Sequence, residues 1–131
     1  MNSPQDLPAL GLRHLALRFA DLVGAERFFV DVLGYRVEWR PGPDDVYLRR
    51  SGDNVALHRA ASSSPGGLLD HMGILVPRAE DVDLWARYLA EKGEKLLALP
   101  RTHRDGARSL YLEGPEGLVV QILHHPPALG E

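Results

Sequence analysis

Two short stretches decide the fold of this chain: LRHLAL at residues 12–17 and DHMGILV at residues 70–76. Each stretch places one histidine near the start of a short apolar run, and each run is followed by apolar residues at helical spacing. The two histidines, His14 and His71, lie 57 positions apart. A pattern that occurs twice in one small chain favours an internal repeat.

The residues around each histidine predict the same order of elements, one strand, one helix and three further strands. In the first unit, Asp21 predicts the start of the helix and Gly34 predicts its end. In the second unit the helix is predicted to end at Gly93, which lies 59 positions after Gly34. The predicted strands are residues 14–19, 35–39, 45–49 and 54–59, followed by 71–76, 95–99, 108–113 and 118–123. The order βαβββ is therefore predicted twice, which favours duplication of one unit.

The length of 131 residues suits one domain with its own hydrophobic core. A small polar segment, AASSSPGG at residues 60–67, predicts a linker between the two units. We therefore expect a single α+β domain over residues 1–131, with module one at about 12–59, the linker at 60–69 and module two at about 70–124. Two such modules are expected to form curved mixed half-sheets around a shared cleft.

The composition argues against several kinds of partner and site. The net charge of −3 gives no electrostatic reason for binding nucleic acid, and zero cysteines exclude disulfides and thiolate ligands. No apolar run approaches the ~20 residues that a membrane span needs, and the N-terminus lacks a secretion signal. We therefore expect a soluble, cytoplasmic protein whose six histidines are the chemistry to explain.

Strand periodicity predicts which histidines share a face. Side chains alternate between the two faces of a strand, and the apolar side of the first strand suits the helix, which leaves His14 on the other face. By the same alternation, His71 and Gln121 are expected on the face of their sheet that is turned away from the helix of the second unit. On the fourth strand, Ala56 and His58 are the residues on that side. The sequence thus predicts that imidazole and amide side chains line one cleft.

These motifs resemble the vicinal oxygen chelate superfamily, also called the glyoxalase/bleomycin-resistance/dioxygenase superfamily. The resemblance extends from about residue 12 to residue 123 and is carried by RHLALRFADL at 13–22, FFVDVLGYRV at 28–37, DHMGILV at 70–76 and YLEGPEGLVVQIL at 111–123. It implies a divalent metal ion, namely Fe, Ni, Zn or Mn, with one ligand from each of the first, fourth, fifth and eighth strands. Those ligand positions fall on His14, on Ala56 or His58, on His71 and on Gln121. The resemblance also implies a small-molecule ligand and a homodimer.

The eighth-strand position departs from the family pattern. A catalytic metal needs about three or four protein ligands and open positions at which two adjacent substrate oxygens can displace water. The ligand familiar on the eighth strand is a glutamate, which also moves the substrate proton in glyoxalase-type isomerisation. Gln121 has no useful basicity, so this departure argues against lactoylglutathione lyase activity. Extradiol dioxygenases usually carry four βαβββ units, whereas this chain has two.

Six further residues are candidates for the site. The resemblance and strand parity suggest Glu113, Tyr111 and His103 as catalytic residues, and Arg104, Ser109 and Trp39 as substrate-binding residues. Glu113 would be a displaced base, His103 an acid or base, and Arg104 a clamp for an anionic group. The alternative for His103 is a solvated hairpin loop with Asp105 and Gly106 as turn residues.

Two functions of different classes follow from these residues. The first is a small metalloenzyme for a substrate with vicinal oxygens, catalysing isomerisation, group transfer to an epoxide or ring cleavage. The second is a metal-free protein that binds a small molecule or antibiotic, as bleomycin-resistance proteins do. His14 and His71 favour the first function, while Gln121 and the undecided fourth-strand position favour the second. Analysis of bound metal discriminates them.

Overall fold

The computed structural model describes residues 4–6, 8, 12–65, 67, 69–104 and 106–125. Two compact units are present, Met1–Ala61 and Ser62–Glu131, and the boundary between them falls in the polar segment that predicted a linker. Gly66 and Leu68 of the predicted linker, Asp105, and the ends of the predicted domain at 1–3 and 126–131 lie outside the described residues. None of the helices in the described ranges is long and apolar enough to cross a membrane.

The first unit is a four-stranded mixed sheet with one helix. Its elements are β1 (His14–Phe19), α1 (Leu22–Arg27), β2 (Arg36–Gly42), β3 (Asp45–Arg49) and β4 (Asn54–Arg59), with a π-helical turn at Phe28–Val32 and a 3-10 turn at Pro4–Asp6. The strand order is β1-β4-β3-β2, in which β1 and β4 are parallel and the other pairs are antiparallel. The predicted order βαβββ is confirmed for this unit.

The second unit has the same order and topology. Its elements are β5 (Met72–Leu75), α2 (Ala79–Glu91), β6 (Leu96–Thr102), β7 (Arg108–Glu113) and β8 (Val119–His124), with a 3-10 turn at Pro115–Gly117. The strand order is β5-β8-β7-β6, again with one parallel pair, β5 and β8. Each unit is therefore an open mixed sheet with a helix, so the predicted α+β class is confirmed.

Local signals place the helix ends where the sequence predicts them. The Asp21 side chain accepts a hydrogen bond from the backbone N–H of Gly24 at 3.0 Å, which satisfies a donor in the first turn of α1. Gly34 and Gly93 follow the two helices with φ angles of +80° and +76°, a conformation that favours glycine. The π-helical turn after α1 was not predicted, because the same apolar spacing suits either kind of helix.

At Gly93 the free-energy cost of a positive φ angle can be measured without steric effects from neighbouring atoms. A Cβ atom added there would meet none of the described atoms within 4 Å, so only backbone strain opposes a side chain. We expect Gly93→Ala to lower the free energy of unfolding by about 1–2 kcal/mol, and Gly93→Asn to lower it less, because Asn tolerates positive φ better. Urea denaturation measures both variants. Equal stability of Gly93→Ala and the unmodified protein would contradict this account of the helix end.

The core of the first unit is built around Phe29, which has no exposed surface. Its ring makes edge-to-face contacts with the rings of Phe28 and Tyr35, at centroid distances of 5.7 and 5.3 Å. The Tyr35 hydroxyl donates a hydrogen bond of 2.6 Å to Asp53. Burial of the phenol, together with that carboxylate, raises the pKa of Tyr35. The buried ring cluster thus ties the π-helical turn to the segment before β2.

The core of the second unit lies between α2 and its sheet. The fully buried side chains are Val82, Leu89, Leu110, Leu112, Val120 and Ile122. At the start of β7, the Arg108 guanidinium donates to both carboxylate oxygens of Asp83 on α2, at 2.7 and 2.9 Å. These hydrogen bonds lower the pKa of Asp83. Apolar burial and this ion pair together hold α2 against the sheet.

One of the two outermost strands of each sheet, β2 or β6, is irregular. The register of β2 against β3 shifts between Val37 and Trp39 and again before Gly42, and β6 shifts in the same way against β7. A proline lies within the second irregular part of each strand, Pro41 in β2 and Pro100 in β6. Both strands extend three residues beyond their predicted ends at residues 39 and 99.

Candidate functional site

Each sheet has one face toward its helix and one face that we call the helix-free face. Helix α1 lies against β1 and β4, and α2 lies against β6, β7 and β8. Exposure alternates along β1, where His14 is exposed and Leu15 is half-buried. Because side chains alternate along a strand, His14 and Gln121 belong to the helix-free faces of their own sheets. This agrees with the predicted parity in both units.

In the second unit the helix-free face is organised in rows across β5, β8 and β7. One row contains Gly73, Gln121 and Tyr111, which are direct partners in the sheet. The next row contains Leu75, Leu123 and Ser109. On the other side of the Gln121 row, Val119 pairs with Glu113, and His71 comes immediately before β5.

Tyr111 contacts both His71 and Gln121, and we call these three residues the second-unit cluster. Gln121 Nε2 donates a hydrogen bond of 3.1 Å to the Tyr111 hydroxyl. The Tyr111 and His71 rings meet edge to face at 5.4 Å, with an interplanar angle of 86°. The structure thus brings together three of the residues that the sequence singled out.

The absence of a side chain at Gly73 accommodates the side chains of Leu123 and Gln121. A Cβ atom placed on Gly73 would lie 3.6 Å from Gln121 Oε1 and 3.0 Å from Leu123 Cδ2. The first distance places the amide oxygen toward β5, the strand that His71 precedes. The second distance is tighter than an ordinary contact, so a side chain at position 73 would crowd this space. The glycine therefore lets the Leu123 side chain and the Gln121 amide approach β5 closely.

The three histidines predicted as metal ligands share one hydrogen-bonding pattern. Nδ1 of His71 lies 2.7 Å from Asp70 Oδ2, and Nδ1 of His58 lies 2.6 Å from Asp45 Oδ1. An ionised carboxylate only accepts hydrogen bonds, so Nδ1 carries the proton in both rings. In the neutral ring the lone pair then lies on Nε2, which is the arrangement typical of metal-binding histidines.

In His14 an amide oxygen, in place of a carboxylate, accepts the hydrogen bond from Nδ1. Its Nδ1 lies 2.7 Å from Asn54 Oδ1, while Asn54 Nδ2 donates 2.9 Å to Glu38. Since the amide nitrogen faces Glu38, the amide oxygen faces His14 and Nδ1 must donate to it. Arg49 forms an ion pair of 2.8 Å with the same Glu38. The chain of contacts from Arg49 to His14 holds the ring with its Nε2 lone pair available for a ligand.

The strand register decides which first-unit residue corresponds to Gln121. His14 pairs with Asn54, so Ala16 and Ala56 form the next row of the first unit, equivalent to Gly73 and Gln121. His58 pairs with Arg18, four residues further along the strands than the level of His14, or about 13 Å. The counterpart of Gln121 is therefore Ala56, which has no donor atom.

The remaining candidates lie in three different surroundings. His103 lies in a hairpin loop that is closed by its backbone hydrogen bonds with Gly106 and Ala107. Its Nε2 lies 2.8 Å from the hydroxyl of Ser109, a residue that is only 2% exposed. Glu113 is exposed and lies 3.8 Å from Lys95 Nζ, and Arg104 is exposed. Trp39 is 61% exposed and stacks on Tyr47 at 5.5 Å in the first unit.

Three partners of the candidate ligands are not predicted from the sequence, namely Asp70, Asn54 and Glu38. Asp70 stands next to His71 in the sequence and could have been found there. Asn54 and Glu38 come from other strands, so only the pairing of the sheet reveals them. Among the side chains that the structure describes, no three His, Cys, Asp or Glu groups are close enough to hold a metal ion by themselves.

Comparison with known proteins gives one family and several relatives. The model of the Glyoxalase/Bleomycin resistance protein/Dioxygenase superfamily matches residues 11–122. The chain is 29% identical over 119 residues to 2,2',3-trihydroxybiphenyl dioxygenase of Sphingomonas paucimobilis, covering 86% of this chain and 40% of that protein. It is 29% identical over 114 residues to the manganese-dependent 2,3-dihydroxybiphenyl 1,2-dioxygenase of Geobacillus genomosp. 3, covering 85% of this chain and 35% of that protein. The chain thus spans less than half the length of either relative.

Among solved structures, the lactoylglutathione lyase of Agrobacterium tumefaciens has a similar fold. Its TM-score with this chain is 0.77 and its sequence identity is 19%. The match covers 90% of this chain and 96% of that one. At this level of identity the likeness concerns the fold, because one fold supports many activities.

Proposed function

The chain belongs to the Glyoxalase/Bleomycin resistance protein/Dioxygenase superfamily, and from this membership we propose that it is a divalent-metal-dependent enzyme. Its substrate is a small molecule with two adjacent oxygen atoms. The proposed ligands are Nε2 of His14, Nε2 of His71 and Oε1 of Gln121. We propose that it acts as a homodimer with two equivalent sites.

The observation that carries this proposal is the state of the two imidazoles. Oxygen acceptors hold Nδ1 of His14 and of His71, so each neutral ring offers its Nε2 lone pair. The third donor, the oxygen of Gln121, lies on the side of its strand toward Gly73 of β5. His58 is left out of the proposed ligand set because the register places it at a different level from His14.

The donor set fits a borderline metal. Two neutral imidazoles and one amide oxygen bring no negative charge, and imidazole donors suit Ni, Zn or Fe. Manganese is the metal in the name of one relative, and it is favoured more by carboxylate ligands. We therefore propose Ni, Zn or Fe as the resident ion of this chain.

Residues of the second unit would serve the reaction around this ion. When bound, a divalent ion polarises the two substrate oxygens. Glu113 lies in the row beside Gln121 on the same sheet and is exposed, so we propose that it accepts the substrate proton that Gln121 cannot take. Arg104 is also exposed and would hold an anionic group of the substrate. His103 receives no role, because its Nε2 is already paired with Ser109.

Metal binding by the unmodified protein tests the proposal. Protein freed of metal with a chelator is titrated separately with Ni²⁺, Zn²⁺, Fe²⁺ and Mn²⁺, and bound metal and melting temperature are measured. We expect one ion per chain and a rise in melting temperature, because an ion at 100 times its Kd stabilises the folded state by about 2.7 kcal/mol. Absence of stoichiometric metal, together with an unchanged melting temperature for all four ions, would overturn the proposal.

A second candidate function is a metal-free protein that binds a small molecule or antibiotic. Two observations favour it: the counterpart of Gln121 is Ala56, and Trp39 is 61% exposed. An exposed indole can stack on an aromatic ligand. The titration above separates the two functions, since the binding protein would need no ion to bind its ligand.

A further inference from the structure

We infer that Tyr111 is a positioning residue that turns the oxygen end of the Gln121 amide toward the metal ion. The inference rests on the proposed function, because it concerns an amide ligand of that site. A glutamine ligand poses a problem that a glutamate does not, since only one end of its amide can bind a cation. Something in the protein must therefore distinguish the two ends.

In the structure, the hydrogen bond between Gln121 and Tyr111 engages the nitrogen end of the amide. Gln121 Nε2 donates to the Tyr111 hydroxyl at 3.1 Å. Because the amide is planar, its oxygen then points away from Tyr111. The oxygen lies toward β5, 3.6 Å from the position that a Cβ atom of Gly73 would take. The nitrogen end is thus held on the β7 side and the oxygen end lies toward Gly73 of β5.

Tyr111 is itself held in place from two directions. It lies directly opposite Gln121 in the antiparallel pairing of β7 and β8, and its ring meets the His71 ring edge to face at 5.4 Å. The first unit provides an internal comparison. There Tyr47 lies opposite Ala56, which has no amide, and stacks on Trp39 instead. Only in the second unit does the tyrosine at this row have an amide to orient.

Loss of the hydroxyl should weaken metal binding through the amide. With its oxygen on an ion, the amide still has N–H groups that need an acceptor, and Tyr111 supplies one. Removal of an outer partner of a metal ligand typically costs about 10–100-fold in affinity. A glutamate at position 121 has two equivalent oxygens and no N–H group. The same loss should therefore matter less once Gln121 is replaced by glutamate, because a carboxylate can bind the ion through either oxygen and the hydroxyl would only donate to it.

Four proteins test this inference by calorimetric titration with Ni²⁺: the unmodified protein, Tyr111→Phe, Gln121→Glu and the double variant. We expect Tyr111→Phe to raise the Kd for Ni²⁺ at least about 10-fold when residue 121 is Gln, and by a clearly smaller factor when it is Glu. Tyr47→Phe removes the equivalent hydroxyl of the first unit and is the matched control, with an expected Kd equal to that of the unmodified protein.

The outcomes separate this inference from the proposed function. If the unmodified protein binds no Ni²⁺, the proposed function falls and the role of Tyr111 falls with it. If the unmodified protein binds Ni²⁺ and Tyr111→Phe binds it equally well, only the inference is overturned. An equal loss with Gln and with Glu at position 121 also overturns it, because a general structural role of Tyr111 would act in both backgrounds.

Discussion

Replacing His71 with alanine is expected to raise the Kd for Ni²⁺ by at least about 100-fold, because the loss of a partner outside the ligand shell already costs 10–100-fold. The change removes a ring whose Nε2 is a proposed ligand and whose Nδ1 is held by Asp70. Calorimetric titration of the metal-free protein measures the effect.

The control is His125→Ala, which removes an exposed histidine that follows β8. It should leave the Kd unchanged. In the absence of metal, His71→Ala should lower the free energy of unfolding by about 1 kcal/mol or less, because it removes the edge-to-face contact with Tyr111 from an imidazole that is only partly buried. A His71→Ala variant that retains the affinity of the unmodified protein would remove His71 from the ligand set.

Replacing Phe29 with alanine should lower the free energy of unfolding by about 3–5 kcal/mol. The Phe29 ring has no exposed surface and makes edge-to-face contacts with Phe28 and Tyr35, so its removal leaves a cavity and breaks both aromatic contacts. Urea denaturation followed by circular dichroism gives the loss. Val23→Ala on α1, the helix that precedes this π-helical turn, is the control, because Val23 is 58% exposed and should cost about 0.5 kcal/mol or less.

The same variant tests our proposal that residues 1–131 form a single domain. The chain has two tryptophans, Trp39 in the first unit and Trp85 in the second. Fluorescence of Trp85→Phe reports the first unit, and fluorescence of Trp39→Phe reports the second. If the domain unfolds cooperatively, Phe29→Ala lowers both transition midpoints equally. A shift seen only by Trp39 would show that the units unfold separately.

Much of the fold could be predicted because its signals are local. Alternation of apolar residues gave the bounds of β1, β3, β4 and β7 correctly, and one capping aspartate and two glycines marked the helix ends. The ends of β2 and β6 were predicted too early. Each strand continues through a proline, which an outermost strand tolerates because it lacks a partner on one side in its sheet. Such tolerance depends on the position in the sheet and is invisible in the local sequence.

The same distinction between local signals and strand pairing applies to the candidate site. Strand parity correctly predicted the faces of His14 and Gln121, since it needs only the period of a strand. The choice between Ala56 and His58 needs the register of β4 against β1, which sequence alone left open. The contact between Tyr111 and Gln121 likewise depends on two strands that pair across the turn at Pro115–Gly117. Sequence therefore predicts which residues face outward from the helix, and pairing determines which atoms meet.

Pro41 and Pro100 bear on how this protein avoids aggregation. An outermost strand with a regular row of N–H and C=O groups is a template on which another chain can add, which is the first step toward fibrils. In β2 and β6 a proline without an N–H group interrupts that row, next to a shift of register. The two prolines lie 59 positions apart, the same separation as Gly34 and Gly93. The repeated unit thus carries a barrier against edge-to-edge association at this edge of its sheet.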